Sequence, residues 1–163
     1  MPITPAPARA ARPSHGIDRV TIVTRDAAAA RRLYEPALMP LGFTIVFDWP
    51  EGRRAYLGLP GEPSSLWLVE GSEPSRTTIA LAAPDRTAVE AFYAAALAAG
   101  AMSLAGPAPR PELTERAYSA AIVDHDGNTV EAICWHGDRH ELPPPSGPRS
   151  PRGAATIPRR SGA

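Results

Sequence analysis

The feature that most constrains this chain is an internal repeat at an offset of 59 residues. A strand-like segment that begins near residue 18, and the helical segment that follows it, come again from residue 77. The positions that correspond at this offset are Val20 with Ile79, Asp26 with Asp85, Leu33 with Phe92, Tyr34 with Tyr93 and Leu38 with Leu97. A repeat of this length indicates one supersecondary unit used twice, so Arg19 and Thr78 are expected at equivalent places.

Size and charge exclude several classes of function. A chain of 163 residues has the length of one domain. Its 17 basic and 17 acidic residues cancel, which favours neither nucleic acid nor an anionic membrane as a partner. No apolar run reaches the roughly 18 residues of a membrane helix, and the N-terminal segment lacks the apolar region of a secretory signal. The single cysteine, Cys134, excludes an internal disulfide, so we expect a cytoplasmic protein.

Proline is concentrated near both ends of the chain, in residues 2–13 and after Leu142. Segments of Pro, Gly and Arg have too little apolar surface to offset the entropy lost on ordering. We therefore predict disordered tails at 1–15 and 139–163. The folded domain is expected at 16–138, with module one at 16–72 and module two at 73–138.

Each module reads as a strand, a helix and three further strands. Asp26 and Asp85 are expected to cap the two helices through their carboxylates. Pro36 should kink or split the first helix, and Gly100 should end the second. The two initial strands are predicted at 17–24 and 77–83, and the others at 43–49, 54–59, 66–70, 101–105, 117–123 and 128–135. The last two are joined by a hairpin turn in which Asp124 and Asp126 bond to the backbone.

Alternation along the strands separates two faces of each predicted sheet. The first and fifth strands carry Val20 and Ile79 on one side, and Arg19 and Thr78 on the other. Entirely apolar sets, which include Cys134 in the last strand, are expected to pack under the helices. The mixed sets should line the opposite, open face, where a ligand could bind.

Several segments, taken together, resemble the vicinal oxygen chelate superfamily of glyoxalases, extradiol dioxygenases and bleomycin-resistance proteins. They lie at 16–24, 33–43, 66–71, 79–85 and 126–132. The resemblance covers nearly all of 16–136. It implies an α+β fold in which two paired βαβββ modules curl into an open cup around the active site, and it commonly implies homodimers.

The resemblance also implies a divalent metal in the cup, held by a His in the first strand of each module and a Glu in the last strand. The corresponding residues are Arg19, Thr78 and Glu131. A guanidinium has no lone pair to give, and a hydroxyl is a poor substitute for imidazole. A fourth ligand, used by some members, would fall near Trp67. We therefore expect neither a metal nor another cofactor.

Five residues are expected to line the cup and to bind a ligand: Arg19, Trp67, Thr78, Tyr118 and Glu131. Aromatic rings supply flat apolar area, and a facing charge pair supplies orientation. In the family geometry the residues at 19, 78 and 131 converge, so we predict an ion pair between Arg19 and Glu131 with Thr78 beside it. A simpler interpretation is that the two charges only neutralise each other.

These observations predict a metal-free glyoxalase-like or bleomycin-resistance-like protein that binds a small, partly aromatic or anionic molecule as a homodimer. One alternative is a metal-dependent lyase or dioxygenase that uses substitute ligands. A second alternative is a non-catalytic structural or interaction module, which requires a cup filled by its own side chains.

Overall fold

The two-module architecture is present in the computed structural model, which describes residues 17–49, 52–62 and 65–135. The predicted tails at 1–15 and 139–163 lie outside these residues. Module one consists of β1 Arg19–Thr24, α1 Ala27–Leu38, a 3-10 turn at Met39–Leu41, β2 Thr44–Asp48, β3 Arg54–Gly58 and β4 Ser65–Glu70. Module two consists of β5 Thr78–Ala82, α2 Arg86–Ala98, β6 Met102–Pro109, β7 Tyr118–Val123 and β8 Thr129–Cys134. The predicted α+β fold of two βαβββ modules is confirmed.

Each module forms its own four-stranded mixed sheet, and the two sheets have the same strand order. The orders are β1-β4-β3-β2 and β5-β8-β7-β6. The first strand of each module runs parallel to the last, and the remaining neighbours are antiparallel. The repeat is therefore structural, and Arg19 and Thr78 begin the equivalent strands β1 and β5.

Aspartate caps begin both long helices, as the sequence predicts. The Asp26 carboxylate accepts the Ala29 amide at 2.8 Å, and Asp85 accepts the Ala88 amide at 2.8 Å. The predicted split at Pro36 is wrong, because α1 continues through it to Leu38. A proline this close to the end removes one backbone bond of the last turn and leaves the preceding turns intact.

The helices cover one face of each sheet and also contact each other. The shared core contains the fully buried Leu33, Leu38, Val89 and Phe92. Leu97, the repeat partner of the fully buried Leu38, is 36% exposed, so the repeat does not extend to burial at this position. None of the helices that the structure describes is long and apolar enough to cross a membrane.

The β7–β8 turn joins module two to module one through buried polar contacts. Asp124 accepts the amides of Asp126 and Asn128 at 2.9 and 2.8 Å, which confirms its predicted role in the turn. Its other oxygen accepts the hydroxyl of Tyr34, from α1, at 2.7 Å. Asp126 accepts the Thr24 hydroxyl at 2.5 Å. The turn thus binds the first strand and helix of the other module.

Candidate functional site

The open face of module one carries a cluster of aromatic rings. The strand register aligns Thr21, Trp67, Tyr56 and Phe47 in one row across the four strands. The Trp67 ring centroid lies 5.8 Å from that of Tyr56 and 5.4 Å from that of Trp49. Trp49 in turn lies 4.6 Å from Phe47, edge to face. We call Phe47, Trp49, Tyr56 and Trp67 the aromatic face.

Two arginines share this side of the sheet. The Arg19 guanidinium lies over the Trp67 ring, 4.7 Å from the centroid, which is a favourable cation–π geometry. Arg54 pairs in register with Val69, so it has the same orientation as Trp67. In β2 the acidic residue Asp48 has the opposite orientation and forms an ion pair with Arg31 of α1. The open face of β1–β4 is therefore positively charged.

Trp67 also carries an unsatisfied donor. Its indole Nε1 is buried and finds no hydrogen-bond partner among the described residues. Buried polar groups of folded proteins are almost always paired, and an exception calls for a specific explanation. An acceptor supplied from outside this part of the chain would satisfy it.

Small residues surround one carboxylate on the open face of module two. Glu131 of β8 lies between Ala80 of β5 and Ala121 of β7 in the strand register. The next row contains Ala82 and Ser119 on either side of Ile133. We call Ala80, Ala82, Ser119 and Ala121 the small-residue face. Ala80 and Ala82 are exposed, whereas Ser119 and Ala121 are buried, so a ligand could reach this face only on its β5 side.

Arg110 neutralises Glu131. Its Nη1 lies 3.5 Å from Oε1 of Glu131 and donates to the Ser119 hydroxyl at 3.1 Å. Its Nε donates to Glu112. The bond to Glu112, supported by the charge of Glu131, holds the pKa of the Arg110 guanidinium above its ordinary value. Oε1 of Glu131 is buried and has no hydrogen bond among the described residues.

The predicted ion pair between Arg19 and Glu131 is wrong within one chain. Arg19 lies over Trp67, and the carboxylate of Glu131 faces Arg110 instead. Sequence reasoning missed Arg110 because it follows β6 in a proline-containing loop, outside the strand alternation. The signal that could have identified Arg110 is the need of the Glu131 carboxylate for a positively charged partner.

Tyr118 does not line the open face, so its prediction as a cup residue is wrong. Its hydroxyl donates to Glu90 of α2 at 3.0 Å, and Arg86 of α2 lies 5.2 Å from its ring centroid. Tyr118 pairs in register with the buried Cys134, which fixes it on the helix side. The burial of Cys134 confirms its own predicted orientation. Trp67 is on the open face as predicted, and its role in binding stays a prediction.

The two open faces do not close on each other within one chain. The first strands β1 and β5 each form an edge of a separate sheet. On their open sides Arg19, Thr21, Thr78 and Ala80 are exposed. Thr78 lies in the first strand of module two, as predicted. Among the described residues, neither Thr78 nor Arg19 contacts the open face of the other module.

The family assignment follows from a match over most of the chain. The sequence profile of the Glyoxalase/Bleomycin resistance protein/Dioxygenase superfamily matches residues 16–132. The chain belongs to this superfamily. No curated protein matches it, so the superfamily profile and the solved structures are the basis for comparison.

Solved structures with the same fold include proteins of this superfamily. A glyoxalase/bleomycin resistance protein from Albidiferax ferrireducens has a TM-score of 0.63 at 21% identity, over 73% of this chain and 98% of its own. A lactoylglutathione lyase from Agrobacterium tumefaciens has a TM-score of 0.53 at 19% identity, over 75% and 94%. A mutant of glyoxalase I from Zea mays has a TM-score of 0.52 at 25% identity, over 71% and 45%. These similarities describe the fold.

The residues at the superfamily's metal positions do not fit a metal ion. Arg19 has no lone pair to donate and would repel a cation. Thr78 offers only a neutral hydroxyl. Glu131, which could ligate, already faces a guanidinium. In the described ranges no three His, Cys, Asp or Glu side chains group closely enough to hold an ion.

Proposed function

We propose that this protein binds a small organic molecule between its open faces and does so without a catalytic metal ion. The observation that carries the proposal is the Arg110–Glu131 ion pair at 3.5 Å. A carboxylate in a partly buried position needs a counter-charge. In a metal-dependent relative the metal ion supplies that positive charge, whereas here the guanidinium of Arg110 supplies it. Arg19 stands at another of the metal positions and cannot act as a ligand.

We further infer that a second copy of the chain completes the cup. The aromatic face of module one is bulky and positively charged, while the small-residue face of module two has short side chains and the carboxylate of Glu131. Because the faces are complementary in side-chain size, a two-fold dimer can oppose module one of each copy to module two of the other. Light scattering should therefore report a dimer, and a monomer that still binds ligand would contradict this arrangement.

The ligand chemistry follows from the side chains that face it. Trp67 and Tyr56 give flat apolar area with a polar edge. Arg19 and Arg54 favour an anionic group. The proposal is therefore a small, partly aromatic or anionic molecule, and no nucleic acid or membrane partner is proposed.

The test begins with metal analysis of the untagged protein. We expect less than stoichiometric metal in the native protein, and no change in metal content in Glu131→Gln. Glu90→Gln is the matched control, because Glu90 lies on α2 and contacts Tyr118 on the helix side. One metal per chain that is lost in Glu131→Gln but kept in Glu90→Gln would support the lyase or dioxygenase alternative.

A panel of small molecules then tests binding through thermal melting. A ligand at 100 times its Kd adds about 2.7 kcal/mol to the free energy of unfolding, which is easily detected as a rise in Tm. We expect some compounds to stabilise the native protein and to lose this effect in Arg110→Ala. A panel in which no compound raises Tm would favour a structural or interaction module.

A further inference from the structure

The aromatic face is a cluster of inclined rings on a rigid support. Tyr56 and Trp67 stand on neighbouring strands in register, and Trp49 follows the end of β2. The ring planes are inclined by 33° between Tyr56 and Trp67 and by 52° between Trp49 and Trp67. A planar ligand ring can stack on one of these rings and pack edge to face against its neighbour, with little loss of side-chain entropy.

The charge next to this surface is entirely positive on the open side of β1–β4. Arg19 stacks on Trp67 itself. Arg54 lies on the same side of β3 and, with Trp49, lines a groove of about 470 Å³. Glu70 also lines that groove, but it is already paired with Arg53 at 3.0 Å. Among the residues that the structure describes, an anion that enters here therefore meets arginine without meeting an unpaired carboxylate.

We propose that module one binds a planar aromatic ring bearing an anionic oxygen group, with the ring stacked on Trp67 and the anion paired with Arg19. This inference rests on the proposed function, since it names the class of ligand that the same cup takes. The small-residue face of a second copy would form the opposite wall through Ala80 and Ala82, which are exposed. Trp67 acts as the stacking residue, and Arg19 selects charge.

Three probes separate the ring from the charge. The first is 2-naphthoate, which has both. The second is 2-naphthol, which keeps the ring but is neutral at pH 7, and the third is cyclohexanecarboxylate, which keeps the charge but has no aromatic ring. Calorimetric titration of the full chain should give 2-naphthoate at least a tenfold lower Kd than either of the others. Equal binding of cyclohexanecarboxylate would overturn the inference.

Variants assign the effect to the two residues. Trp67→Leu should weaken 2-naphthoate at least tenfold, and Arg19→Gln should weaken 2-naphthoate while leaving 2-naphthol unchanged. Trp67→Phe keeps a ring without the N–H and should lose less than Trp67→Leu. Arg32→Gln is the matched control on an exposed residue of α1 away from this face, and it should bind as the native protein does.

Indole signals in two-dimensional NMR give a second readout within one sample. The chain has 3 tryptophans, so 3 indole N–H signals are expected. The signals of Trp67 and Trp49 should shift with 2-naphthoate by more than that of Trp135. A shift confined to Trp135 would overturn the inference.

Three outcomes distinguish failure of this inference from failure of the proposed function. If a compound of the melting panel stabilises native protein and Trp67→Leu equally, the protein binds small molecules but the stacking site is wrong. If no compound, including 2-naphthoate, binds at all, both proposals fall. Loss of the dimer in Trp67→Leu, with no binding of 2-naphthoate by native protein, would make the aromatic face an interface between copies.

Discussion

Replacement of Tyr34 by phenylalanine removes one hydroxyl from the contact between the modules. Tyr34 is 1% exposed, and its hydroxyl donates to Asp124, which is itself 4% exposed. A hydrogen bond to a charged group contributes about 1.5–3 kcal/mol. The phenyl ring keeps the packing, so Tyr34→Phe should lower the free energy of unfolding by about that amount.

The repeat provides a matched control at the equivalent position. The Tyr93 hydroxyl contacts Ser103 at 2.6 Å in an exposed setting, so Tyr93→Phe should change stability by less than about 0.5 kcal/mol. Urea unfolding followed by circular dichroism measures both variants, and the m-value should stay constant. Equal losses in the two variants would refute the argument that burial beside a carboxylate decides the difference.

The same contact predicts a dependence on alkaline pH. Burial, followed by the negative charge of Asp124 and the hydrogen bond to it, raises the pKa of Tyr34 far above its ordinary value. The native state then keeps a proton that the unfolded state loses above pH ~10. The stability from Tyr34 is complete below that pH and falls by about 1.4 kcal/mol per pH unit above it. Tyr34→Phe should reduce this alkaline slope, and an unchanged slope would contradict the assignment.

Three further changes test the rest of the structure by urea unfolding. Arg110→Ala leaves Glu131 without its counter-charge and should cost about 1–3 kcal/mol, with a smaller loss in Arg110→Lys; an unchanged stability would mean that the pair is solvated. Arg19→Ala removes only an exposed stack on Trp67 and should cost about 0.5–1 kcal/mol, so a larger loss would indicate a buried partner for Arg19. Asp85→Ala removes a helix cap and should cost about 1 kcal/mol, whereas Asp85→Asn should be nearly neutral, and equal losses would argue against capping.

The sequence predicts the architecture well because its signals are local. The repeat determines the order of the helices and strands. The aspartate before each helix accepts a hydrogen bond from a backbone amide of the first turn at 2.8 Å. Strand bounds differ mainly in β6, which extends to Pro109 instead of ending at 105. Proline tolerates an edge position, and β6 is the edge of its sheet, so the strand could continue beyond the prediction.

The site was less predictable because it depends on contacts between distant segments. Alternation places Trp67 correctly, but it cannot say that Arg110, from a loop, reaches Glu131. Tyr118 was assigned from its chemistry, whereas its register with Cys134 turns it toward α2. The ion pair expected for Arg19 depends on which two modules share a cup, and the sequence does not decide whether they belong to one chain or to two. Within one chain Arg19 lies over Trp67 and Glu131 faces Arg110.

The β7–β8 turn has a consequence for how the whole protein unfolds. Asp124 holds α1 of the other module through Tyr34, and Asp126 holds the end of β1 through Thr24. Neither module can lose its structure without breaking these bonds, so the two halves of the repeat should unfold as a single cooperative unit. Native-state hydrogen exchange should then assign the same opening free energy to the slowest amides of both sheets, and a separated half of the chain should not hold its native fold.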